Sequence, residues 1–153
     1  MRLWDYALAA WRRPGVSETA LELQDRHGQC VPLLLWRAWA TADGRRIDGG
    51  CLEAAVSIAR AWEPEIIAPL RRARRALGKT PEGPDDGAIQ RLRQAVRASE
   101  LDAEKALLEA LEGLTPPPSG AEGDLAQLLA GLMETWNGHQ AAAVARDLAA
   151  SLG

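Results

Sequence analysis

Between residues 31 and 42 the chain is apolar on almost every side of any regular element it could form. Val31, Leu33, Leu34, Leu35, Trp36, Ala38, Trp39 and Ala40 are interrupted by a single charge, Arg37. A helix apolar all round is the buried centre of a domain, not a surface rod. Pro32 fits its first turn, where a missing N–H costs nothing. Arg37 must either reach water or find a partner.

Such a hub needs other elements around it, and the remaining sequence predicts helices. Ala and Leu dominate, β-branched residues are scarce, and runs alternating apolar with polar are absent. The chain has 153 residues, 47% hydrophobic and 25% charged. Those values suit one globular domain and exclude wholesale disorder, a collagen-like repeat or a disulfide scaffold.

Gly and Pro punctuate the helices. A short segment over 2–12 ends at Pro14-Gly15. Ser17 reads as the N-cap of a helix reaching His27, with Gly28 as its C-terminal stop. Asp48 caps a helix in which Pro64 predicts a kink or break near residue 62. The helix then resumes to Leu77 on an apolar stripe at 59, 62, 66, 70, 73 and 77. After a loop at 80–87, a long helix over 86–113 carries a second stripe. Two long stripes joined by a short loop imply an antiparallel helical hairpin. Leu114 to Gly120 holds three prolines and is a stiff connector. Helices over 122–136 and 139–151 complete the expected all-α, single-domain bundle of five to seven helices. Residues 1–114 form its core domain; 115–153 form a connector and a helical pair packing on the core or on a partner.

The net charge of −3 argues against bulk attraction to nucleic acid or anionic lipid, but its distribution is uneven. Residues 1–80 carry 13 basic and 9 acidic side chains; residues 81–153 carry 5 and 12. Only Cys30 and Cys51 are present. With no secretory h-region and no long apolar span, the expectation is a cytoplasmic protein with reduced thiols and no membrane contact.

Three clusters are candidate sites. Gln24, Asp25, Arg26 and His27 crowd one helix end; they are either ordinary helix-end polarity or the gate of a pocket lined by Trp36, Trp39 and Trp62. Those indoles are alternatively core. Arg71, Arg72, Arg74 and Arg75 form the sharpest charge run. They either pair across a solvated face with Glu100, Asp102 and Glu104, or contact an anion, an acidic protein or nucleic acid. No aromatic interleaves with the arginines, so base stacking lacks a platform. His27, Cys30, Cys51 and His139 do not have paired zinc-ligand spacing. No catalytic residue, metal or cofactor is expected. The expected role is a non-enzymatic protein-interaction or adaptor module, with a protein partner or a homodimer; a small-molecule pocket is the alternative.

Leu3-Trp4, Tyr6, Arg13 to Val16, Leu23 to Gly28, Val31, Leu33 to Trp36, Trp39, Trp62 and Pro69 to Arg71 carry a resemblance. Over about residues 3–75 the chain resembles the DUF2390 group of small proteobacterial proteins of uncharacterised function. The resemblance implies a mostly helical, cytoplasmic bacterial protein. It implies no reaction, so no catalytic residue is carried over.

Overall fold

The apolar segment becomes α3 (Val31–Ala42), and the other helices pack around it. Trp36 and Trp39 are the largest fully buried side chains, among Leu33, Leu34 and Leu35. The computed structural model describes residues 1–79, 82–121, 123–139 and 141–153. Among these, the helices are α1 (Leu3–Trp11), α2 (Val16–His27), α3, α4 (Gly49–Trp62), α5 (Ala68–Leu77), α6 (Asp86–Leu114), α7 (Leu125–Asn137) and α8 (Ala142–Leu152). No strand occurs among the described residues.

Each buried indole needs a partner for its N–H, and each finds one. Trp36 donates to Thr115 Oγ1 at 2.7 Å, and Trp39 donates to the Met1 carbonyl at 2.9 Å. The Arg45 guanidinium stacks 4.5 Å from the Trp39 ring centre and also donates to the Pro116 carbonyl. The connector is thereby fastened to the hub. Gly44, at φ +63, accepts from the Ser119 and Ala121 amides, and a Cβ there would stand 3.4 Å from Gly120 Cα. The left-handed conformation favours glycine there. Arg37 is half-buried beside Thr41, Arg45 and Arg46.

Asp48, Asp85 and Asp124 cap α4, α6 and α7 through Cys51, Ala88 and Gln127 amides at 2.8–2.9 Å. Ser17 does not cap α2. The helix begins one residue earlier, behind Gly15 at φ +82, and Ser17 bonds Glu18 inside the first turn. Leu129, Leu132 and Met133 of α7 and Ala145, Leu148 and Leu152 of α8 join the same core as α1–α3.

Regular α-helix ends at Trp62, where Pro64 predicts the interruption. α4 and α5 run on through a π-helical turn, Glu63–Ile67, which bulges by one residue. Its signature is the Ala68 amide bonded to the Glu63 carbonyl five residues back. Pro64 and Pro69, five apart, lack the N–H groups that α-helical bonding would use at each end of this turn. The inward face shifts accordingly. Ala59, Glu63, Ile67 and Arg71 are buried, while Ile66 and Ala73 of the expected stripe are exposed. A salt-bridged pair therefore enters the interior where the sequence predicts apolar residues. α5 and α6 form the antiparallel hairpin, and among the described residues between 82 and 99 only Ile89 is buried.

Candidate functional site

A cleft of about 460 Å³ opens between α1, α2 and the α5–α6 hairpin. Its floor is ionic. Arg71, carried inward by the π turn, is 8% exposed and donates from Nη1 to Glu63 Oε1 at 2.9 Å. Its Nε lies 3.5 Å from Glu100 Oε1. Its Nη2 is buried and 3.8 Å from Glu104 Oε1, beyond hydrogen-bond range, and has no partner. Arg74 donates to both oxygens of Glu100, which holds the Arg74 guanidinium charged even more firmly than usual.

Glu104 is the strained member. Burial raises its carboxyl and the Glu100 charge raises it further, to about 7, against the opposing pull of Arg71. Arg93 and Arg97 stand at the rim. The walls are apolar: Trp11, Leu21 and Leu101 are 37%, 47% and 49% exposed. A narrower recess of about 40 Å³ continues from the same Trp11, Gln24, Leu101 and Glu104 toward Trp4 and Leu8.

The structure brings together Gln24, Arg71 and Arg74 in the cleft. Asp25 and Arg75 meet beside it at 2.8 Å, and that bond pulls the Asp25 carboxyl below its ordinary range. Arg26 and Arg72 are exposed. His27 is half-buried at the end of α2, and its carbonyl accepts from Asn137. Asp25, Arg26 and His27 do not line the cleft, and neither do the three central indoles. Trp36 and Trp39 are core, and Trp62 is half-buried with its N–H on the Ala103 carbonyl. Core packing, not the alternative Trp-lined pocket, is where the structure places Trp36 and Trp39, and all three N–H groups bond inside the bundle.

The arginines do pair with the acids of α6, but in a buried cluster and not across a solvated face: Glu100 and Glu104 take part, while Asp102 is exposed. The sequence reading missed Trp11, Leu21, Arg93, Arg97, Leu101 and Glu63 as site residues. Glu100 sits beside Ala103 and Leu107 on the apolar side of α6, which was the available signal.

Cys30 is buried before α3 and burial pushes its thiol far up; Cys51 is raised as well. Both thiols are held protonated, which is unsuited to nucleophilic work. Among the described residues no three His, Cys, Asp or Glu side chains come together as a metal site. No described helix is long and apolar enough to cross a membrane.

No curated protein and no solved structure matches the chain. One family model does, described as a protein of unknown function, DUF2390, and it matches residues 2–111. The match extends well beyond residue 75, through the hairpin and all of the cleft's walls. The chain thus belongs to the DUF2390 family.

Proposed function

We propose that the chain is a non-enzymatic interaction module that docks an acidic protein surface on the outer face of its α5–α6 hairpin. One observation carries this reading. Residues 71–97 hold eight basic and three acidic side chains, in a chain whose net charge is −3. Most of that positive charge stands in water: Arg72, Arg75, Lys79, Arg91, Arg93 and Arg97 are all exposed. A concentrated exposed charge of one sign steers a partner of the opposite sign. Arg72, Arg74, Arg75, Lys79 and Arg91 have no aromatic among them, which favours a protein over single-stranded nucleic acid. The free thiols of Cys30 and Cys51 support a cytoplasmic setting, and the resemblance to proteobacterial proteins supports a bacterial one. The end of the family match at 111, just before the connector, supports reading 115–153 as a unit set apart in sequence from 1–114, one whose helices pack on the core.

The test is carbodiimide coupling, which joins a Lys amine directly to a carboxylate, in native lysate. Lys79 is expected to couple to acidic peptides of one partner. An Arg72→Glu/Arg91→Glu variant is expected to lose that product while keeping its melting temperature. An unchanged product in the variant refutes the reading. So does loss of the product on nuclease treatment, which would point to nucleic acid. Coupling only to a second copy, with a matching dimer by light scattering, would assign the face to self-association instead.

A further inference from the structure

The cleft at the base of the hairpin adjoins its outer basic face through Arg93 and Arg97, but it is built differently. Of the seven large apolar side chains that stand exposed among the described residues, Leu8, Trp11, Leu21 and Leu101 gather around this cleft and its recess. Contiguous exposed apolar surface at a concavity marks a binding site. At its mouth Arg93 and Arg97 stand exposed, and among the described residues neither forms an ion pair. From the two together we infer that the cleft binds a small amphipathic monocarboxylate: its carboxylate meets Arg93 and Arg97, and its hydrocarbon lies against Trp11, Leu21 and Leu101.

The chemistry selects this class by elimination. A wholly apolar ligand would take water from the Arg93 and Arg97 guanidinium groups and give them no partner, which is costly. A cation would face Arg71, Arg74, Arg93 and Arg97. A dianion such as a phosphate monoester would be repelled by Glu63, Glu100 and Glu104, which already crowd the floor. A single planar carboxylate matches the fork of an arginine and adds the least negative charge. A cleft of about 460 Å³ lies within the usual range for small-molecule sites.

The test follows the six indole N–H signals by NMR during titration with octanoate. Octanol and octylamine serve as controls for the tail and for the sign of the charge. Octanoate is expected to shift the Trp11 signal saturably and to leave Trp36 and Trp39 in place. Neither control is expected to do so. Arg97→Gln, an exposed position, is expected to weaken octanoate at least tenfold, one lost charge-assisted hydrogen bond, with the melting temperature unchanged. Leu101→Glu is expected to abolish binding. Three results would overturn the inference: no saturable shift up to about 10 mM octanoate, equal shifts with octanol, or full affinity in both variants. Arg72→Glu/Arg91→Glu lies outside the cleft and is expected to bind octanoate normally, so failure of the partner-docking reading is read separately.

Discussion

Glu104→Gln tests the electrostatics of the cleft floor without disturbing its shape. The groups facing this carboxyl are Glu100 on its own helix, Arg71 and Arg74 on α5, and Glu63 on the π turn; Gln24 of α2 is neutral. Burial and Glu100 together outweigh the arginines and raise it from 4.5 to about 7. A carboxyl raised in the fold favours folding below its unfolded value. That advantage is lost as pH rises from about 4.5 through about 7, because the unfolded chain releases the proton first. The full displacement corresponds to about 3 kcal/mol. With 27% of the side chain exposed, water relaxes part of the strain, leaving about 2 kcal/mol. Gln imitates the neutral acid at every pH. The variant should match the parent near pH 4.5 and be about 2 kcal/mol more stable at pH 8, a rise in Tm of roughly 4–8 °C. Thermal and urea denaturation at pH 4.5, 6, 7 and 8 would measure this. Asp25, shifted downward by Arg75, loses its contribution only below this range, and the raised Tyr6 and cysteines titrate above it. A parent and variant that melt together at pH 8, or that diverge toward acid instead, would refute the reasoning.

Arg71→Met should cost about 3–5 kcal/mol, because Glu63 stays buried without its counter-charge while Glu100 is left with Arg74 alone. Adding Glu63→Gln should recover a substantial part, and a urea double-mutant cycle would show whether the two couple. Trp36→Ala should cost about 3–5 kcal/mol by emptying the centre of the core; an unchanged melting curve would contradict the hub. Gly44→Ala should cost about 1–2 kcal/mol from its left-handed backbone and the pressure on Gly120, with faster proteolysis of the 115–121 connector as the companion readout.

The helices were legible because their signals are local, and so was the Asp48 cap of α4. Other ends were not: Ser17 lies inside α2, and the caps Asp85 and Asp124 went unread. Leu33 to Trp39 could only be an interior segment, whatever surrounded it. The cleft was not legible, for two physical reasons. Its walls come from four helices, and nothing local ties Trp11 to Leu101. Its floor depends on the π turn, which moves Arg71 from an apparent surface position into the interior. The stripe read across the Pro64 interruption keeps α-helical spacing on both sides and makes no allowance for an added residue, so it assigns Ile66 and Ala73 to the face that Ile67 and Arg71 occupy. The arginine-to-acid pairing was anticipated from charge alone, but its burial was not, since burial is a property of the packed hairpin.

The bulge at Glu63–Ile67 makes the whole ionic floor contingent on how the rod is wound. Five residues of π turn sweep about the same angle as four of α-helix, so the bulge takes up one extra residue and leaves Arg71 facing Glu63 and Glu100. Wound instead as regular α-helix with every residue kept, the rod would turn everything beyond the bulge by about 100° and lengthen by about 1.5 Å. The guanidinium of Arg71 would leave Glu63, and the cleft would lose its charge while keeping its walls.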